Sequence, residues 1–455
     1  MGAGRVRAAW LAGAAAAVLL GAAAGPATAA WGDDERASVG PMSATSPDVA
    51  LNARGDAAAV WVRGRGRSRQ IVASLRPLGG GWSRPEGISR RGRPSIDPEA
   101  GVGPDGRVVV TWRQAARTRV VRVGGRPRAQ AVYVARAREL APLAPRWGPV
   151  VTLSSPRQKV GRVFLGVDGR GVAVAAWHWG TGTRPSDPGY VGQVQLAEEP
   201  PGGAWSAPRP ASQDPGCVQV RRPRVAVGAS GHAVVWWQCD LGRSRSVGAA
   251  VARGPDEAFG AEARLPITGG RELAADLTVT PDGQAVAVSA ADGALRWWRG
   301  PASAGGVALS PLPALGTAER LAPGVGSPQV AAGDAGDAVS AWIAPGRTTR
   351  IAPIAGDLGV AAPITLGGGR ADARVRVAMG GARRGAVAWL SAGRVVAVGR
   401  GQDGNTGPRT TLSGRGVPAT EPPALAMDTA GNGLVLWARR VGGRSVIERA
   451  QYASP

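Results

Sequence analysis

Short runs of consecutive apolar residues, without polar alternation, recur along this chain. The clearest lies in Pro223-Arg-Val-Ala-Val-Gly-Ala-Ser-Gly-His-Ala-Val-Val-Trp-Trp237, where two apolar stretches flank a turn and a Trp follows the turn Gly by six residues. The same spacing places Gly55 before Trp61, Gly106 before Trp112, Gly171 before Trp177, Gly231 before Trp237, Gly336 before Trp342 and Gly431 before Trp437. Two further copies are degenerate, with Gly283 leading to Ser289 and Arg383 leading to Trp389. Successive Trp positions are 47 to 65 residues apart, and self-similarity at such a period marks a repeat architecture.

Each copy has a looser second half. In the first, residues 70–75 read as a third strand, Gly79-Gly-Gly-Trp82 as a loop and residues 86–89 as a short closing strand. The repeat therefore predicts four strands, A to D. Strand B is apolar on both sides in Ala57-Ala-Ala-Val-Trp61, Ala233-Val-Val-Trp-Trp237 and Gly433-Leu-Val-Leu-Trp437, so it must be covered on both faces. Neighbouring blades of a β-propeller supply that environment. Tandem immunoglobulin-like domains need about a hundred residues each and keep one face of each sheet solvated, which excludes them.

The expected fold is all-β, a single β-propeller of eight four-stranded blades, with seven blades and one irregular unit as the alternative. Repeat units start near residues 47, 98, 161, 223, 275, 328, 374 and 423 of a propeller spanning 31–455. The last unit lacks a fourth strand, and Trp31 precedes Pro47 by the same 16 residues that separate Trp82 from Pro98. The N-terminal strand is therefore expected to complete the last blade and leave no free edge.

Composition changes this picture little. The 70 Gly and 37 Pro suit tight turns, while 44% hydrophobic residues in register argue against disorder. Residues 1–30 differ: Arg5 and Arg7, an apolar stretch over 8–24 and the small residues Ala27-Thr-Ala-Ala30 have the three parts of a secretory signal. Cleavage is expected after Ala29 or Ala30, giving a secreted, extracellular protein without a membrane span. Cys217 and Cys239 sit about equally far from the turn of the fourth repeat's first hairpin. Antiparallel pairing should join them in a disulfide near its base.

The repeats over 31–455 resemble those of secreted bacterial β-propellers in the broad sialidase-like and kelch-like group. The Ser-x-Asp-x-Gly-x-x-Trp box of sialidase-type repeats is absent, and the Gly-His and Trp-Asp dipeptides of WD repeats do not recur. The resemblance implies the fold and transfers no active site.

No residue pattern in the chain supports a catalytic assignment. A sialidase-like site needs an arginine cluster, a nucleophilic Tyr with a Glu and a general acid. Of the three tyrosines, Tyr133 and Tyr452 fall in strand C runs, and Tyr190 has Asp187 nearby. His178 and His232 have no second His at metal spacing and read as loop residues. The Asp-Gly pairs are what hairpin turns demand. No metal or cofactor is expected.

Charge is the one functional hint. The net charge is +23, and every cation but Lys159 is arginine. In an antiparallel blade the B–C and D–A connectors emerge on one face. The B–C connectors hold 19 Arg and 3 acids, and the D–A connectors 13 Arg or Lys and 7 acids. Nearly all the excess charge thus falls on one face, densest at Arg63, Arg65, Arg67 and Arg69 and in a 113–130 loop with Arg113, Arg117, Arg119, Arg122, Arg126 and Arg128. Such a field steers polyanions onto the surface, and Arg suits carboxylate, phosphate or sulfate by bidentate hydrogen bonding.

The sequence therefore predicts a non-enzymatic exported binding module or scaffold. Its expected partner is an acidic polysaccharide or acidic protein at the cell surface, and nucleic acid is not the expected physiological one. The alternative is a propeller glycoside hydrolase or lyase using acids such as Asp187, Asp240 or Glu272. Oligomeric state stays open.

Overall fold

The computed structural model describes residues 30–454 apart from 124–125, 181–191, 243, 271–272, 292, 315–318, 323–327, 357–358, 368–370, 415–418 and 420. Residues 1–29, which carry the expected signal, lie outside the described residues. The strands form eight antiparallel sheets, each a meander with at least four strands. This is the eight-bladed propeller that the repeats predict.

Blade 1 comprises Ala44–Leu51, Ala57–Arg63, Gln70–Arg76 and Glu86–Gly87 as strands A to D. Blade 2 follows with Ser95–Val102, Val108–Val123, Arg126–Leu140 and Val151–Thr152. The A strands of blades 3 to 7 are Lys159–Val167, Gln219–Val227, Ala274–Val279, Gln329–Ala332 and Ala371–Met379. Blade 8 has Ala424–Met427, Gly433–Val441 and Arg444–Ala453.

The N-terminal residues close the ring. Ala30 and Trp31 pair with Ala453 and Tyr452, and Glu35 and Arg36 with Arg449 and Glu448. The Trp31 ring stacks at a tilt on Tyr452, with centroids 5.0 Å apart. Closure also shows in the core, where Leu434 and Leu436 of blade 8 pack with Ala59 and Trp61 of blade 1. Strand B carries this packing because both of its faces are covered. Trp61, Trp112, Trp177, Trp237, Trp342, Trp389 and Trp437 are all fully buried. Each buries on the order of 200 Å², so roughly 5 kcal/mol of hydrophobic stabilisation attaches to each, counted against an extended chain.

The turns before these strands need a left-handed residue. Gly55, Gly106, Gly171, Gly231, Gly283, Gly336 and Gly431 supply it with φ between 76° and 99°. In the degenerate seventh copy, Ala382 and Arg383 take it instead, at φ 51° and 62°.

Several arginines are structural. Arg107 is buried between the Glu199 and Glu139 carboxylates, at 3.2 and 3.3 Å, and donates to Gly171 O at 2.6 Å. Arg253 pairs with Asp168 at 2.9 Å and Glu198 at 2.8 Å, and donates to Gly231 O. These guanidiniums link adjacent blades and satisfy turn carbonyls, so part of the arginine excess belongs to the scaffold. Cys217 and Cys239 form the expected disulfide, with Cα atoms 5.2 Å apart.

Candidate functional site

The face bearing the B–C and D–A connectors is shaped by a defect that recurs in several of the A strands. Ladder pairing skips between Thr45 and Asp48, Ile96 and Glu99, Val160 and Val163, and Arg221 and Arg224. In blades 1, 2 and 4 the bulge holds a left-handed residue followed by proline: Ser46-Pro47, Asp97-Pro98 and Arg222-Pro223, with φ of 52° to 53°. Proline has no N–H for the ladder and lowers the loss from breaking it there. A bulge re-aims the side chains beside it, and such strained residues cluster at functional sites.

The residue after each proline sits at an equivalent place in the innermost strand of its blade. Asp48, Glu99, Phe164, Arg224, Asp276, Gln329 and Arg376 occupy equivalent register positions, each opposite the residue preceding the strand B Trp position. Arg162 of blade 3 pairs with Glu99 of blade 2 at 2.6 Å, and Arg376 donates to Gln329 Oε1 at 2.9 Å. Burial, with the Glu99 carboxylate nearby, raises the Asp48 carboxyl to about 7. Burial raises Asp276 to about 6. Both acids bridge adjacent blades. Asp48 accepts from Ala100 N at 2.9 Å and Asp276 from Val330 N at 3.1 Å, each on the next blade. The pattern Pro-x with a charged x in blades 1, 2 and 4 is the sequence signal for this ring.

The predicted arginines divide into tied and open groups. Arg63 donates to Gln70 Oε1 at 2.9 Å, and Arg65 to Ser43 Oγ and Gly443 O at 3.0 Å each. Arg65 thereby joins blade 1 to blade 8. Arg67 and Arg69 are exposed beside it. Arg113 pairs with Asp97 and lies over the Tyr133 ring at 5.2 Å.

The 113–130 segment is not a loop. Strand B of blade 2 runs past Trp112 to Val123 and returns as a long strand C from Arg126. Its sequence alternates Arg with Thr and Val and contains Gly124-Gly125, a hairpin signature hidden by the charge. Arg119 stands opposite Gln130 and donates to it at 3.2 Å. Positions two apart share a face, so Arg117, Arg119, Arg126 and Arg128 lie on one face of the ribbon. Arg117, Arg126 and Arg128 are exposed, and Arg122 lies in strand B opposite Pro127.

The ribbon and the first blade form one basic surface. Ser95 N donates to Arg69 O at 3.1 Å, and Arg93 reaches Ala116 O at 2.6 Å. Arg90 and Arg91 are exposed between them. Burial, together with the charges of Arg93 and Arg90, pushes the Arg136 guanidinium below its usual value.

The other nominated residues behave differently. Asp240 pairs with Arg221 at 2.9 Å. Asp187, Tyr190 and Glu272 lie outside the described residues. His178 is in strand B of blade 3, Ala173–Gly180, rather than in a loop, because pairing with strand C continues to Gly180. Burial, with Lys159 and Arg221 nearby, lowers its pKa to about 4. His232 is in its turn, with Nδ1 2.7 Å from Ser230 Oγ. Among the described residues the one metal-like grouping is Asp214 with the two disulfide sulfurs, and Asp214 is already ion-paired with Arg264.

No family model and no curated protein matches this chain. Solved structures resemble it in shape at low identity. A protein of unknown function from Dyadobacter fermentans is 12% identical, covering 94% of this chain and 99% of its own, with a TM-score of 0.46. A fucose-specific lectin from Aleuria aurantia is 12% identical over 83% of this chain and 100% of its own, with a TM-score of 0.41. A Trypanosoma rangeli sialidase is 11% identical over 83% of this chain and 57% of its own, with a TM-score of 0.39. No helix among the described residues is long and apolar enough to cross a membrane.

Proposed function

We propose that this propeller is an exported, non-enzymatic binding module that holds an acidic polysaccharide or acidic protein on its arginine face, outside the cell. The observation carrying this reading is the blade 2 ribbon. Arg117, Arg126 and Arg128 are exposed there, with no carboxylate partner among the described residues, and Arg67, Arg69, Arg90 and Arg91 are exposed nearby. An extended strand pair with arginines on one side presents charge at regular spacing, which suits a linear polyanion better than a compact ligand.

The test is binding to an immobilised acidic polysaccharide across a salt series, beside Arg117→Gln/Arg126→Gln/Arg128→Gln. Affinity should fall steeply with salt, and the variant should bind more weakly with a shallower slope. Equal binding by both proteins would remove the ribbon from the site.

A glycan-cleaving propeller is the second reading, favoured by Asp48, a carboxyl raised to about 7 beside Glu99. Such a pairing of environments suits acid–base chemistry. Against it, the Asp48 carboxylate serves the same interblade bond as Asp276. Glycan cleavage lost in Asp48→Asn would favour the enzyme, and absence of cleavage by the wild type would remove it.

A further inference from the structure

We infer that the channel wall between blades 3 and 4 carries a separate site for one compact oxyanion, a carboxylate or a sulfate, gripped by Arg224. A cavity of about 280 Å³ opens there, lined by Arg162, Phe164, His178, Arg221, Arg222 and Arg224 among others. Most of its charge is already committed. Arg162 is neutralised by Glu99 at 2.6 Å, and Arg221 by Asp240 at 2.9 Å.

Arg224 is the exception. Its Nη1 donates to Pro223 O at 3.1 Å, and no carboxylate among the described residues pairs with it. The guanidinium lies over the Phe164 ring at 4.3 Å. Stacking on an aromatic ring holds the plane of the fork while leaving its in-plane N–H groups available. Such a preset fork binds a planar or tetrahedral oxyanion by two parallel hydrogen bonds.

The surroundings agree. Burial pushes Arg224 down to about 10, although Asp276 and Glu99 partly oppose the shift. Burial chiefly lowers His178 beside it, and the positive charges of Lys159 and Arg221 add to that shift. The backbone is committed too, since left-handed Arg222 and Pro223 form the bulge that turns Arg224 inward. A cation held this way, stacked, half-buried and without a carboxylate partner among the described residues, is an arrangement that an anion would relieve.

This site is distinct from the blade 2 ribbon, and its ligand is a single group rather than a chain. Titration calorimetry on the purified protein at fixed chloride would use sodium glucuronate and sodium sulfate as probes, with glucose as the neutral control. Saturable binding of at least one oxyanion is expected, with glucose inert. The glucuronate and sulfate arms tell a sugar acid from a free tetrahedral anion.

Arg224→Gln should weaken binding at least tenfold, and Arg224→Lys, which keeps the charge but loses the fork, should fall between. The ribbon variant Arg117→Gln/Arg126→Gln/Arg128→Gln should bind the small anions as the wild type does. The inference is overturned if the wild type shows no saturable oxyanion binding, if glucose binds equally well, or if either Arg224→Gln or Arg224→Lys binds the oxyanion as the wild type does. Were Arg224→Gln to misfold, the wild-type and Arg224→Lys titrations would still decide it. Loss of polymer binding in the ribbon variant with small-anion binding intact would separate the two sites.

Discussion

The indole N–H of Trp298, on strand C of blade 5, donates to Ser289 Oγ on strand B at 3.0 Å. Ser289 stands where the other seven copies carry a fully buried Trp, and it is itself buried. The large aromatic has moved one strand outward within the same core layer, where Trp298 packs with Ala285 and Ala287.

That exchange predicts an unequal pair of variants. Trp298→Ala should cost about 3–5 kcal/mol by opening a cavity. Ser289→Ala should cost only about 1 kcal/mol, for one lost hydrogen bond, since the indole nitrogens of Trp112, Trp177 and Trp342 are buried without partners anyway. Chemical denaturation measures both, and equal losses would contradict the exchange.

The turn before Trp389 predicts a stabilising change. Arg383 is left-handed where the other turns have Gly. Arg383→Gly should raise stability by about 0.5–1 kcal/mol, as relief of the backbone outweighs the added freedom of the unfolded chain. A lower melting temperature for the variant would show that the side chain contributes more than the strain removes.

Reduction of the disulfide tests a different link. Cys217 and Cys239 are separated by 22 residues, and a loop of that size should contribute roughly 3 kcal/mol on the chain-entropy account. Cys217→Ser/Cys239→Ser should lose that amount in denaturant titration, and the wild type should lose it on adding reductant. A variant as stable as the wild type would mean that the ladder of blade 4 already restrains this loop.

Asp48 sets a pH dependence. Its folded-state carboxyl is raised from 3.8 to about 7, so between those values the folded protein holds a proton that the unfolded chain has released. Its stabilising contribution is therefore full below about pH 4 and is lost as pH rises towards 7. His178, lowered to about 4, acts oppositely: stability is lost as pH falls from about 6.5 towards 4. Asp48→Asn isolates the carboxyl. The variant should gain on the wild type as pH rises from about 5 to about 8, by on the order of 1–3 kcal/mol. Parallel pH profiles for the two proteins would place Asp48 in water.

The candidate site is only partly legible in sequence. The ten nominated arginines do fall in strands B and C and the turns joining them, but Arg63, Arg65 and Arg113 are held by Gln70, Ser43 and Asp97. The long ribbon reads as a loop because arginine hides its alternation, although Gly124-Gly125 marks the turn. The channel ring has no contiguous signature, because Asp48, Glu99 and Arg224 lie on three blades and form a group only when the ring closes.

The sequence by itself determined the blade, its repetition and its closure. Strand order, turn glycines and doubly apolar B strands are set by neighbours within one unit, and local spacing records them. Even the closing strand is readable, because Trp31 stands before Pro47 as Trp82 does before Pro98. Only the tertiary structure decided which charges are available. Arg107 meets Glu199 across 92 residues and Arg65 meets Gly443 across 378. Ion pairing depends on distances of a few ångströms between groups on different blades, and no local pattern encodes these distances.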